Sequence, residues 1–349
     1  MRALVYHGPW QMSLEELPRP RPAAGEALLR ITAVGICGSD VHGFTGESGR
    51  RTPGMVMGHE FAGEIAELGP GVEGWQVGER VAAFNMLGCG RCLFCQAGQT
   101  QRCPERQVFG VNMGTRGAFA EFLAVPQANL VRLAPGLDPA IAVLHEPLGV
   151  GLHAVDILNP SPTDTVVVVG AGTIGLGLTL ALRQRGVARI FALDKIPEKL
   201  ALAERFGATP IPVGEADPQE VLRGATGGYG ADGAIEAVGQ ADTVRTCLQL
   251  TQPGGTVVLV GNLAQSVDLP LQEIVSQEKR LLGSYGFHFA DFQRAMALIN
   301  GGGLPLEALL TGTCTLEETP AVMAALARGE RSATKIVVRM EEGRSGQNG

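Results

Sequence analysis

The chain has 349 residues, 45% hydrophobic and 5% aromatic, which suits two domains of ordinary size with ample cores. Its net charge of −7, from 28 basic and 35 acidic residues, argues against a nucleic-acid or anionic-membrane surface. Seven cysteines, an odd number with no signal peptide before them, point to a reducing cytoplasm rather than to a disulfide-stapled secreted protein.

Along the chain, Met1 to Tyr6 alternates like a first strand, and Pro18 to Pro22 forms a short extended connector. Short apolar runs at 27–34, 61–68, 80–84, 118–125 and 130–133, punctuated by Gly and Pro, suggest a small β-barrel or sandwich. Cys89, Cys92, Cys95 and Cys103 interrupt this region in a Gly-rich, polar stretch, residues 86–104. Four thiolates at this spacing can close around one tetrahedral Zn²⁺, a structural arrangement with no position left for substrate. The metal would supply stabilisation that the stretch cannot supply from apolar burial. Two disulfides are the alternative, but Cys89 and Cys92, or Cys92 and Cys95, lie too close for an easy bridge, and nothing marks the chain as secreted.

From about 148 the pattern changes. Apolar strands at 165–169, 189–193, 233–237 and 256–260 alternate with helical segments at 174–185, 198–206 and 243–250, the signature of a doubly wound parallel sheet. The uncharged run 166–182 is long enough to suggest a membrane span, but four glycines interrupt it and give it another meaning. Helices are expected again at 291–299 and 320–327, then a strand at 335–339 and a disordered tail from Glu341.

Three of the four, Gly170, Gly172 and Gly175, fall in Gly170-Ala171-Gly172-Thr173-Ile174-Gly175, after a strand and before a helix, and Gly177 follows. This context makes G-x-G-x-x-G a dinucleotide site: one glycine for the turn, one for approach of the pyrophosphate, one for helix–sheet packing. The helix N-terminus at Thr173 and Ile174 faces the phosphates. Asp194, at the end of the next strand, can accept both ribose hydroxyls and would repel a 2′-phosphate, which favours NAD over NADP. Lys199, on the following helix, would add a ribose or phosphate contact or stand as an ordinary surface lysine, and in a sheet of this order Val260 and Gly261, after a later strand, would fall near the nicotinamide.

A second metal-ligating set is scattered. Cys37-Gly38-Ser39-Asp40-Val41-His42 precedes Gly58-His59-Glu60, and Glu146 comes much later. Thiolate, imidazole and carboxylate are zinc ligands, and three of them plus water make a catalytic site. Spacing alone cannot recognise it, because each residue also has an ordinary role as core thiol, hydrogen-bonded ring or solvated acid.

Taken in order, these motifs, with the four-cysteine lobe, Gly117-Ala118-Phe119-Ala120-Glu121-Phe122, Glu146-Pro147-Leu148 and the glycine-rich turn, resemble the zinc-dependent medium-chain alcohol/polyol dehydrogenases, near the sorbitol and threonine branches. The resemblance runs over essentially 1–340. It implies an α/β protein: a GroES-like β-barrel catalytic domain, 1–147 and 288–349, around a Rossmann domain, 148–287. It also implies two zinc ions per chain, one structural on the cysteine lobe and one catalytic on Cys37 and His59. Glu146 stands where a third ligand is expected; Glu60 either ligates directly, exchanges with water, or remains a neighbour. Ser39 would hold the substrate hydroxyl and pass on its proton, and His42 would lead it to solvent.

The expected reaction is hydride transfer between NAD and a secondary alcohol or polyol, in a cytoplasmic dimer or tetramer that binds neither nucleic acid nor membrane. A zinc-free quinone or enoyl reductase of the same fold and a non-catalytic dinucleotide-binding protein are the competing readings. Where polyol dehydrogenases tend to carry Arg-Tyr this chain has His288-Phe289, which favours a less polar alcohol. Arg50 and Arg51, on the loop before His59, would read an anionic substrate group if they faced the cleft. His153 is expected to pack at the start of a helix, the His145 ring to point away from the metal, Cys247 and Cys314 to be core thiols, and Asp40 to be a hydrogen-bond acceptor.

Overall fold

A computed structural model describes residues 1–340. The tail expected from Glu341 lies outside the described residues. The chain divides into two compact units, Met1–Glu146 with the segment from Phe292 onward, and Pro147–Asp291. The division falls inside the helices His145–Leu158 and Phe289–Gly301.

In the first unit a seven-stranded sheet is organised on Glu26–Ile36. Ala27, Leu28, Leu29, Ile31, Ala33 and Val34 are all buried, so residues on both faces of this strand are covered. Glu60–Leu68 pairs along it antiparallel, with Gly35 opposite Glu60. Phe122–Pro126 pairs with its first half, Glu26 to Arg30, and Lys335–Arg339 with its second half, Ala33 to Ile36. The C-terminal strand is therefore built into a sheet that the N-terminal strands began, and this makes the unit discontinuous. Leu4, Leu29, Ile31, Phe61, Phe109, Phe119 and Val338 share one core. Burial of each such side chain contributes about 1.5–3 kcal/mol.

The second unit holds six parallel strands in the order Thr209–Pro212, Arg189–Asp194, Thr165–Val169, Ala231–Glu236, Thr251–Leu259, Arg280–Gly283. The order reverses at Thr165–Val169, which is where an open sheet of this kind binds its ligand. All five residues of that strand are buried, as expected of a strand covered on both faces. The strands Thr209–Pro212 and Arg280–Gly283 and the helix Pro218–Ala225 were not anticipated. Pro210 and Pro212 mask the first, which sits at a sheet edge where proline is tolerated.

The run 166–182 is a strand, a turn and the helix Thr173–Gln184. By length and composition Pro139–Leu158 could cross a membrane, but 83% of its most apolar window is buried inside the protein.

Candidate active site and metal centres

Three elements of the first unit bring the scattered ligands together. Cys37 caps the helix Gly38–Phe44 at its N-terminus, and its backbone N–H donates to Asp40 Oδ2 at 3.1 Å. His59 and Glu60 open the strand Glu60–Leu68, entered through Gly58 at φ +90°, a conformation that L side chains rarely adopt. A Cβ at Gly58 would also press on Phe119. Gly35, opposite Glu60, leaves space for the Glu60 carboxylate, which any Cβ there would strike.

The ligand atoms of Cys37, His59 and Glu60 lie within 4.8 Å of one another. Glu146 falls outside that grouping. It is buried, and its Oε2 has no hydrogen-bond partner. A buried carboxylate oxygen without a partner is costly unless a cation or water satisfies it. The neighbouring His145 ring points elsewhere, edge-on to Phe292 at 4.9 Å, and burial lowers its pKa to about 3.

Glu146, His59 and Lys335 each sit where positive charge is favoured. Burial and the nearby Glu60 push Glu146 up to about 7. Burial lowers the basicity of His59, but Asp40 and Cys37 outweigh it and hold the imidazole well above its ordinary value. The same contest at Lys335 ends upward, through Glu60 and Cys37. The thiol, imidazole and carboxylate of this grouping are a donor set that fits a divalent ion of borderline softness.

Asp40 stands behind His59. It is fully buried, with Oδ1 3.3 Å from His59 Nδ1 and 3.8 Å from Arg51 Nη2. Burial would raise its pKa, but His59, Arg51 and the Cys37 N–H together lower it. A carboxylate behind a metal-ligating imidazole fixes the ring and its tautomer. Arg51 thus neither reads substrate from the cleft nor lies solvated on its loop, the two positions its sequence offered. Its side chain is only 3% exposed and turns inward, because the buried Asp40 needs a counter-ion that solvent cannot supply. Arg50 is exposed.

Lys335 was missed. Its Nζ donates to Glu60 Oε1 at 2.8 Å and Oε2 at 2.6 Å and to the Ile36 carbonyl at 3.2 Å. The only sequence signal is a lysine at the head of an apolar strand. Ser39 is exposed in the first turn of its helix, and His42 lies three residues on, with Nδ1 2.7 Å from Glu47 Oε2. At i, i+3 the two share one helix face.

The cysteine lobe is compact. Cys89, Cys92, Cys95 and Cys103 place their sulfurs within 4.8 Å of one another, and no cysteine of the chain is in a disulfide. Cys92 caps the short helix Leu93–Gln96, and the Cys89 N–H donates to Cys103 Sγ. The paired strands Met86–Leu87 and Gln107–Val108 close the lobe at its base. Backbone N–H groups of Arg91 and Cys92 lower Cys89 to about 7, while burial takes Cys95 to about 12. This tetrathiol set fits a closed zinc site. Cys247 and Cys314 are buried core thiols.

In the second unit Gly170 turns the chain at φ +97°, and a Cβ at Gly175 would collide with the Gly170 carbonyl. Gly172 caps the helix Thr173–Gln184 and faces open space, with nothing within 4 Å of a built Cβ. This is the cradle a pyrophosphate needs over a helix N-terminus. Asp194 Oδ2 accepts from the Ala171 N–H at 2.8 Å and Oδ1 from the Ile196 N–H at 2.9 Å. One lone pair remains on each oxygen. Lys199 follows on the helix Pro197–Arg205, half-buried. The N–H groups of Val260 and Gly261 both donate to the Glu236 carbonyl. Glu236 was also missed. Its buried carboxylate accepts from Val238 N, Gly239 N and Thr243 Oγ1, and so shapes the loop beside Gly170.

Comparison with known proteins matches residues 23–135 to the alcohol dehydrogenase GroES-like domain and residues 173–301 to the zinc-binding dehydrogenase family. An erythritol/L-threitol dehydrogenase of Mycolicibacterium smegmatis is 36% identical over 348 residues, 95% of this chain and 96% of that protein. Among solved structures, an alcohol dehydrogenase from Thermus sp. ATN1 superposes with a TM-score of 0.89 at 32% identity, covering 98% of this chain and all of that one (100%). An alcohol dehydrogenase of Escherichia coli CFT073, complexed with NADH, gives a TM-score of 0.88 at 28% identity, over 97% and 99% of the two chains.

Proposed function

The chain belongs to the zinc-dependent medium-chain alcohol/polyol dehydrogenases, and from that premise we propose that it oxidises a secondary alcohol or polyol at Cys37, His59 and a neighbouring carboxylate, with NAD as partner. The observation that carries this reading is the grouping of a half-buried thiol with a buried imidazole and carboxylate, together with the unpartnered oxygen of the buried Glu146. A zinc-free reductase or a non-catalytic binding protein has no use for such a grouping. Zinc bound there supplies a Lewis acid that makes an alcohol hydroxyl acidic near neutral pH, and NAD supplies the hydride acceptor.

The protein's own residues do the rest. Cys37 and His59 hold the metal. Of the two carboxylates we assign Glu146 as the resident ligand, because both Glu60 oxygens are engaged by Lys335. Glu60 then balances charge beside the metal and remains available for exchange. Ser39 takes the hydroxyl proton, and His42, on the same helix face, hands it to solvent. In the second unit Gly170, Gly172 and Gly175 shape the phosphate cradle, with the Thr173 and Ile174 N–H groups at its floor. Asp194 accepts the ribose hydroxyls and repels a 2′-phosphate, Lys199 lies beside it, and Val260 and Gly261 border the nicotinamide end.

The polyol substrate of the Mycolicibacterium smegmatis relative supports a small polyhydroxy or secondary alcohol substrate. Seven free cysteines support a cytoplasmic location. The edge strand Arg280–Gly283, with Leu271 (69% exposed), Val275 (68%) and Leu282 (39%) nearby, supports a homo-oligomer, dimer or tetramer, built on that edge. The zinc-loaded protein with NAD and a panel of secondary alcohols and polyols tests the function: NADH absorbance should appear with at least one of them. Turnover restricted to NADP would refute the role of Asp194, and silence across the panel would refute the substrate class.

A further inference from the structure

A third group of metal-ligating side chains lies in the second unit and shares no residue with either zinc set. His153 sits in the helix His145–Leu158, away from the helix start where the sequence placed it. His288 and Asp291 flank the start of the helix Phe289–Gly301. The ligand atoms of the three lie within 4.8 Å of one another. His153 Nδ1 is 3.0 Å from Asp291 Oδ2, and His288 Nδ1 is 3.4 Å from the same oxygen. The His288 backbone N–H donates to that oxygen too, at 2.9 Å. The imidazoles stand edge to face, 4.5 Å between centroids.

Three nitrogens therefore converge on one oxygen. A carboxylate oxygen offers about two lone-pair sites. The backbone N–H and one imidazole fill them, as in an ordinary helix cap that also steadies a histidine. The second imidazole on the same oxygen is one more than that reading explains. A tetrahedral zinc-like ion, with metal–nitrogen and metal–oxygen bonds of about 2.0–2.2 Å, spaces its ligand atoms roughly 3.4 Å apart. The two imidazole–carboxylate separations, 3.0 and 3.4 Å, sit at that spacing. Burial of the His153 and Asp291 side chains, 6% and 4% exposed, excludes competing water, while His288 at 29% leaves an entry side and a coordination position for solvent.

We propose that His153, His288 and Asp291 form a third metal site, of two imidazoles and one carboxylate, for a late first-row divalent ion. Two imidazoles select Zn²⁺, Ni²⁺ or Cu²⁺ over Mg²⁺ and Ca²⁺, which prefer all-oxygen shells. The ion would clamp the helix bearing His153 to the segment that leads into the next helix. The backbone N–H on Asp291 would orient the carboxylate from behind.

The test uses the untagged protein prepared with two zinc per chain, enough for the Cys37 and His59 site and the cysteine lobe and none for the third site. It is dialysed against graded Ni²⁺, and nickel and zinc per chain are measured together by mass spectrometry. The wild type should take up one nickel with its zinc unchanged and should melt at a higher temperature with nickel than without. His288→Asn, at the partly exposed position, should keep its fold and its zinc but bind nickel at least about tenfold more weakly and lose the thermal shift. His153→Asn should behave alike. Equal nickel uptake by wild type and His288→Asn would overturn the proposal, as would nickel gained only at the expense of zinc, or no nickel bound.

Discussion

Replacing Lys335 by methionine removes the ammonium from Glu60 while keeping most of the apolar stem. Both partners are enclosed, with side chains 2% and 1% exposed. The ammonium makes three hydrogen bonds, two of them to the carboxylate. Its loss strands a buried carboxylate and the Ile36 carbonyl. Breaking one side of a buried pair costs about 3–5 kcal/mol, which for a unit of this size is a fall of roughly 6–20 °C in Tm. The assay is urea unfolding followed by tryptophan fluorescence. The chain has two tryptophans, Trp10 and Trp75, both in the first unit, so the signal reports that unit alone. Zinc-stripped protein should show the full loss, and zinc-loaded protein less, because the ion gives Glu60 a second cation. Glu60→Gln combined with Lys335→Met should recover much of the loss, since no stranded charge remains. A single variant within about 0.5 kcal/mol of wild type, or a double variant no better than the single, refutes the reasoning.

Cys95→Ser should cost one zinc per chain and expose residues 86–104 to proteolysis; a stable, fully metallated variant that had lost only turnover would contradict the structural role of the lobe. Asp138 caps the helix Pro139–Ala142 and binds Arg339 through both oxygens, at 3.1 and 2.6 Å. Burial raises its pKa, but Arg339 and the Ala140 N–H outweigh it and hold the carboxyl below its ordinary value. A depressed carboxylate stabilises the fold above its unfolded pKa, about 3.9, and that contribution is lost as pH falls through the lower folded value. Arg339→Ala should therefore be less stable by up to about 1 kcal/mol at neutral pH, discounted for the exposure of both groups. The gap should close on acidification below pH about 3.9. A gap unchanged in acid contradicts the assignment.

Much of this was legible in the sequence because the signals are local. The run 166–169 and the glycines after it specify a strand, a turn and a helix N-terminus within ten residues, and the structure realises each. The four cysteines are as local. Cys37, His59 and Glu146 carry weak signals one by one, and became readable only through their order along the chain. What escaped depends on partners far apart. Lys335 meets Glu60 across 275 positions, and nothing near either residue announces the other. Arg51 looks like a solvated loop residue until the burial of Asp40 is known. His153 and Asp291, separated by 138 positions, meet only because one helix and the first turn of a later one converge. The strand Arg280–Gly283 is too short to show a period of two.

The central claim is that the metal on Cys37 and His59 is the chemical centre and the cysteine lobe is not. The most direct measurement is zinc content and NADH formation for Cys37→Ser beside wild type, with NAD binding measured on both. Wild type should carry about two zinc per chain and the variant about one, with NADH formation lost and NAD binding retained. A variant that keeps both zinc ions, or that still reduces NAD at the wild-type rate, would contradict it.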